Sequence, residues 1–310
     1  MNVWILDYLD KRLVFVTGKG GVGKSTVAIA MGIRAAMEGK RTIVVEVAAT
    51  ENTSRIFRQE EVGYREVEVS NNLWAISIDP DDSMREYVLL QLKVKAMRDL
   101  LFRSRMFTYL ADATPGLNEL VTIGKVWELA QPDRKIKHGR RYDLVIVDSP
   151  ATGHGISFLQ TPRTFANIAR VGPMHTQARE LETMICDHKL TGSVIVSLPE
   201  EMPVNETASL ESELIGDIGV SVDRVIMNAL YPERFPKKEI KELEVLDRNK
   251  DPELRSVYRA ALTQSRRSAA QQEQLARLNK MVSTPISTLP FIFEPEVTLK
   301  AARRLAEGLS

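Results

Sequence analysis

The residues best suited to chemistry are Gly18-Lys19-Gly20-Gly21-Val22-Gly23-Lys24-Ser25-Thr26. Two glycines five positions apart, followed by a lysine and a hydroxyl, form the G-x-x-x-x-G-K-[ST] pattern of a phosphate-binding loop. Without Cβ atoms, Gly18, Gly20, Gly21 and Gly23 let successive backbone N–H groups turn inward. A helix N-terminus behind them adds its positive dipole end, which makes a concavity for di- and triphosphates. Lys24 is placed to reach the β- and γ-phosphates, Ser25 to ligate Mg²⁺, and Thr26 to touch an α-phosphate oxygen, with Val22 inside the cradle. The acidic position that goes with this loop is Asp148, which closes the run Leu144-Val145-Ile146-Val147-Asp148. A carboxylate at a strand's carboxyl end beside such a loop is placed to hold magnesium through its water.

These residues need a scaffold that brings strand ends together. Short apolar runs rich in β-branched residues predict strands at Leu13 to Thr17, Thr42 to Val47, Leu73 to Ile78, Leu144 to Asp148, Ser193 to Leu198, Val222 to Met227 and Ile286 to Leu289. They are near-continuous rather than alternating, as strands covered on both faces are, which predicts a parallel sheet. Helical patterns lie between them at Lys24 to Glu38, closed by Gly39, and around 164 to 186, 204 to 215 and 253 to 282. The alternation predicts a doubly wound α/β fold with a mostly parallel sheet, spanning 1–310 as one domain.

One stretch interrupts the rhythm. From Ser83 to Ala130 the pattern predicts two long helices split at Thr114-Pro115-Gly116, with Thr as cap and Pro at the first helical position. This is an inserted helical lobe, residues 83–131, rich in Met and Leu; it either packs on itself and the sheet edge or offers an apolar groove to a partner. Tyr231 to Arg255, with two prolines and mixed charges, reads as an exposed connector.

Composition narrows the class. Of 310 residues, 44% are hydrophobic and 27% charged, and Lys+Arg 42 against Asp+Glu 41 leaves a net charge of +1. That balance excludes disordered and fibrous classes and gives no footprint for nucleic acid or anionic membrane. No run approaches the roughly 18 apolar residues a membrane helix needs, and the N-terminus meets Asp7 and Asp10 at once, so a cytoplasmic protein not integral to the membrane is expected. The one cysteine, Cys186, excludes a disulfide framework and any paired Cys-x-x-Cys metal site. The tail Leu299 to Ala306 reads as a weakly amphipathic terminal helix.

Lys19 goes beyond the generic pattern, and Gly18-Lys19-Gly20-Gly21-Val22-Gly23-Lys24-Ser25 resembles the deviant Walker A group of P-loop proteins. In that group the early lysine crosses a dimer interface to the partner's nucleotide. The resemblance implies a homodimer, or a heterodimer with a close paralogue. Asp148-Ser149-Pro150-Ala151-Thr152-Gly153-His154 resembles the switch II signature of the arsenical pump-driving and guided-entry (tail-anchored protein targeting) ATPases. So do Pro115-Gly116-Leu117-Asn118-Glu119 and Pro199-Glu200 through Glu206-Thr207. By the same resemblance Asn228 is the adenine-contacting asparagine and Leu289-Pro290 with Glu294 the late adenine-side loop, so Asn228 and Pro290 are expected to bind nucleotide.

Two departures qualify the likeness. Where the family has Asp-Pro-Ala-His after the second strand, this chain has Val45-Glu46-Val47-Ala48-Ala49-Thr50-Glu51. Ala48 stands at or near the water-positioning aspartate, and Glu46 or Glu51 is left to take its place with poorer orientation. Hydrolysis is therefore expected to be slow or partner-dependent. Arsenite binding is also disfavoured, since soft trivalent arsenic needs several thiolates.

The expectation is a cytoplasmic ATPase using ATP and Mg²⁺, with Lys19, Lys24, Asp148 and Glu46 as catalytic groups and Ser25 and Asp148 as metal ligands. Its dimer would couple nucleotide state to the helical lobe, where a hydrophobic or membrane-protein client could bind. The alternatives are a nucleotide-gated regulatory module with little turnover and a partition-type positioning ATPase.

Overall fold

The computed structural model describes residues 7–47, 56–57, 62–91, 114–134, 140–150, 154–169, 171–248 and 251–309, with backbone alone at 90, 91 and 154. Ala48, Glu51, residues 92–113 and 151–153 lie outside them.

Eight strands form one sheet: β1 (Leu13–Gly18), β2 (Thr42–Val47), β3 (Val67–Ser70), β4 (Leu73–Ile78), β5 (Leu144–Asp148), β6 (Thr191–Ser197), β7 (Val222–Leu230) and β8 (Ile286–Pro290). Their spatial order is β3-β4-β2-β5-β1-β6-β7-β8. Every neighbouring pair is parallel except β3 with β4. The order reverses around β1, so the carboxyl ends of β1, β5 and β6 open the crevice where a doubly wound sheet takes its ligand.

Consecutive residues of a central strand point to opposite faces, and both faces are buried. Leu13, Phe15, Ile43, Val45, Val145 and Val147 pack with Leu120, Ile123, Phe158, Leu181, Val204 and Leu278 on one side. Val14, Val16, Val44, Ile146, Val194 and Val196 pack with Val27, Ile29, Met31, Leu305 and Ala306 on the other. Each such side chain contributes about 1.5–3 kcal/mol by leaving water, which is why both faces of these strands read as apolar.

Among the described residues the long α-helices are α1 (Lys24–Met37), α2 (Pro80–Gln91), α3 (Leu117–Ala130), α4 (His154–Ile168), α5 (Pro173–Cys186), α6 (Glu201–Glu213), α7 (Lys237–Leu246), α8 (Pro252–Met281) and α9 (Leu299–Gly308). No helix among the described residues is long and apolar enough to cross a membrane. The mostly parallel α/β sheet expected from the sequence is therefore the fold observed.

Several local expectations need correction. Strand β3 has no counterpart among the strands expected from sequence, because Val67-Glu68-Val69-Ser70 alternates and lies half-exposed on an antiparallel edge. The single helix expected over 164 to 186 is two, α4 and α5, broken at Gly172-Pro173. α3 begins after Gly116, not at Pro115: Gly116 holds the cap position at φ 81 and Thr114 supplies a carbonyl to Leu117 N–H rather than a side-chain cap. The span Tyr231 to Arg255 is exposed but not irregular, since it contains α7 and the start of α8. α9 is sharply two-sided, not weakly amphipathic: Ala301, Ala302, Leu305 and Ala306 are buried while Arg303 and Arg304 face out.

Within 83–131, α2 and α3 are described. α3 lays Leu120, Ile123, Val126 and Leu129 in the main core. Met84 and Val88 of α2 pack on Val121. Between α2, α3 and α5 lies a cavity of about 460 Å³ whose walls include Tyr64, Tyr87, Leu120, Trp127 and Met174. Its floor is charged: Lys125, 8% exposed, pairs with Glu86 at 2.9 Å and Glu128 at 3.3 Å.

Candidate functional site

β1 delivers the chain into the loop through Gly18, whose φ of 144° and position leave no room for a side chain: a Cβ there would sit 2.3 Å from the Val196 carbonyl oxygen. The loop closes at Gly23, which caps α1 in the left-handed region at φ 91°. A Cβ at Gly23 would meet the Asn228 amide nitrogen at 2.4 Å. That close approach has a purpose in the geometry, because Asn228 Nδ2 donates to the Val22 carbonyl at 3.0 Å and ties the end of β7 to the loop. Gly20 and Gly21 are exposed on the loop's rim, and Val22 is buried beneath it.

α1 offers no side-chain cap, so its first N–H groups are left for whatever the loop encloses. Lys24 Nζ donates to the Lys19 carbonyl at 2.9 Å, folding the long side chain over the loop. Burial lowers the Lys24 pKa, and the nearby Asp148 carboxylate works against that shift.

Asp148 sits at the carboxyl end of β5 and faces α1. Burial raises its pKa to about 6; the Ser25 hydroxyl, by hydrogen bonding, and Lys24, by charge, oppose the rise, whereas Glu46 adds to it. Glu46 is fully buried on β2 and pairs in register with Asp148, so two carboxylates lie side by side on the α1 face of the sheet. Asp148 Oδ1 and Ser149 Oγ are buried with no hydrogen-bond partner. A buried, orphaned carboxylate oxygen costs about 1–3 kcal/mol or more, and marks a place where a positive or donating group belongs.

The expected site residues therefore converge. Gly18, Lys19, Gly20, Gly21, Val22, Gly23, Lys24, Ser25 and Thr26 form one loop-to-helix unit, with Glu46, Asp148 and Asn228 at the carboxyl ends of β2, β5 and β7. Pro290 ends β8, opposite Leu230 in register, one strand farther out.

Sequence reasoning missed two features. Lys19 Nζ is bound to Glu206 Oε1 of the same chain at 2.6 Å, across 187 positions. The other is an aromatic cluster beyond β7 and β8. Tyr231 and Phe291 stack at 4.8 Å, Phe293 meets both edge-on, and Arg234 lies over Phe293 at 5.0 Å. The sequence signal for the cluster was Phe291-Ile292-Phe293 directly after Leu289-Pro290; for Glu206 it was only the acidic character of the segment Glu200 to Glu206.

Comparison with known proteins agrees with this geometry. The family model described as anion-transporting ATPase matches residues 11–171 and 167–261. ATPase BagA of Mycobacterium tuberculosis is 27% identical over 234 residues, covering 74% of this chain and 68% of that protein. ATPase GET3 of Chaetomium globosum is 27% identical over 269 residues, covering 75% of this chain and 76% of its own. A Halobacterium salinarum protein named for the arsenical pump-driving ATPases is 29% identical over 262 residues, covering 77% of this chain and 39% of its own. With a glycine loop on a doubly wound sheet and a family match over most of its length, the chain belongs to the anion-transporting ATPase family and is an ATPase of that family.

Proposed function

We propose that this chain binds ATP with Mg²⁺ in the Gly18–Thr26 loop and acts as a cytoplasmic dimeric switch, in which nucleotide state is coupled to the helical segment 83–131. The observation that carries the reading is the Ser25–Asp148 pair with its buried, unpartnered Asp148 Oδ1, set beneath an uncapped helix N-terminus.

The donors fit Mg²⁺ in one way only. Among the described residues no group of three or more His, Cys, Asp or Glu could hold a metal by itself. A hydroxyl and one carboxylate suit an ion that takes its remaining ligands from phosphate and water. When bound there, magnesium would supply charge to the β- and γ-phosphate oxygens. The chain's residues would do the rest. Backbone N–H groups of the loop hold the phosphates, Lys24 leaves the Lys19 carbonyl for the β- and γ-phosphates, and Asn228 and Pro290 border the base. Lys19 reaches the nucleotide of a second copy, as the deviant Walker A resemblance implies.

Glu46 is the carboxylate that takes over water positioning from the missing aspartate. Its place in register with Asp148 favours it, while its own backbone position, two residues before Ala48, supports slow turnover. Magnesium-dependent phosphate release tests this directly. Wild type is expected to release phosphate slowly and in proportion to protein, and Glu46→Gln about tenfold more slowly, a small effect for a base because the orientation is poor. Equal rates in a folded Glu46→Gln protein would remove Glu46 from the chemistry.

The cavity between α2, α3 and α5 supports a partner site on the helical segment, although its Lys125–Glu86–Glu128 floor suits an amphipathic rather than a wholly apolar client. The buried apolar face of α9 argues against the surface-positioning alternative, since that face is spent on α1.

A further inference from the structure

Lys19 and Glu206 are both about one-third exposed, yet their contact at 2.6 Å is direct. Glu206 stands on α6, whose Val204 and Leu210 are fixed in the main core, so the acid is held on a rigid element. Lys19 stands at the loop's second position, and its own backbone carbonyl accepts from Lys24 Nζ. The contact is one-sided: Glu206 Oε2 is buried and has no hydrogen-bond partner. A carboxylate with one oxygen satisfied and the other orphaned is an acceptor whose pairing is easily exchanged.

We infer that Glu206 is a positioning residue that holds Lys19 within its own chain and competes with phosphate for its ammonium group. The role rests on the dimeric reading above, in which Lys19 must leave its own chain to meet the second nucleotide. An ammonium cannot serve both a carboxylate at 2.6 Å and a phosphate across an interface. Glu206 therefore sets how much nucleotide is needed before two copies close.

Sedimentation velocity of the full chain, titrated with Mg²⁺ and the non-hydrolysable analogue AMP-PNP, measures this. Glu206→Gln keeps the size and removes the charge; it is expected to lower the analogue concentration for half-maximal dimer about 2- to 5-fold, the range a partly exposed ion pair controls. Glu206→Asp keeps the charge and is expected to return the midpoint toward wild type, which a purely structural role of the side chain would not produce. Lys19→Met serves as the reference and should fail to form the dimer at any concentration. An unchanged or raised midpoint in folded Glu206→Gln, with Lys19→Met still defective, overturns the role of Glu206 and leaves the dimer standing. Wild type that stays monomeric at saturating analogue, or Lys19→Met that dimerises like wild type, overturns the dimeric reading and this role with it.

Discussion

Lys24→Ala is expected to lower kcat/KM for ATP about 1000-fold, to the background of the assay, with the fold intact. Lys24 folds over the loop onto the Lys19 carbonyl, and a preorganised charge aimed at a transferring phosphoryl group carries an effect of that size. Its cost to the fold is small, because burial already disfavours the ammonium form and lowers its pKa. Removing it deletes a partly desolvated charge and one hydrogen bond to the Lys19 carbonyl. Phosphate release and a thermal melt on the same sample check both halves. Release that persists in the variant would assign the activity to another protein in the preparation.

Asp148→Asn is expected to act in opposite directions on stability and on activity. The carboxyl pKa of Asp148 stands at about 6 in the folded chain against an ordinary 3.8, chiefly because it is buried. For an acid shifted upward, the folded state is penalised wherever the unfolded chain has ionised and the folded chain has not done so freely. The wild type thus keeps its full stability below pH 3.8 and loses it as pH rises to about 6. The loss amounts to about 3 kcal/mol, since each unit is worth about 1.4 kcal/mol. Asparagine cannot ionise and can still accept from Ser25. Measured by urea denaturation in EDTA, the variant should match wild type near pH 3.5 and exceed it by about 3 kcal/mol at pH 7. With Mg²⁺ and ATP phosphate release should fall about 100-fold or more, because the carboxylate proposed to hold the ion is removed. In wild type the affinity for Mg·ATP should weaken below pH about 6 as Asp148 takes up its proton. A variant no more stable than wild type at pH 7 would mean that Asp148 is not held in an unfavourable charge state.

The loop and the central strands were legible in the sequence because their causes are local. Leu13 to Thr17, Thr42 to Val47 and Leu144 to Asp148 are continuous apolar runs, and only a strand buried on both faces needs one. The loop's glycines are dictated by backbone conformation and by close neighbours such as the Val196 carbonyl. What escaped was set by contacts distant in sequence or by edges. Val67–Ser70 pairs on one side only and keeps Glu68 in solvent, so its pattern is that of a polar turn. α7 has no buried residue and is helical without a core stripe, which is why its charges read as a linker. The Lys19–Glu206 pair joins residues 187 positions apart, and the acidic segment around Glu206 does not by itself say which cation it meets. The Tyr231, Phe291 and Phe293 cluster likewise forms only when β7 and β8 lie side by side. The spacing of Glu46 from the loop does not show that it lies in register with Asp148; that neighbourhood comes from the pairing of β2 with β5.

The central claim, that two copies close on ATP through this loop, is tested most directly by native mass measurement with and without AMP-PNP and Mg²⁺. Twice the chain mass of 34.9 kDa, about 70 kDa plus two nucleotides, is predicted with the analogue and a single chain without it. A single chain carrying one nucleotide at saturation, or a chain carrying none, would contradict it.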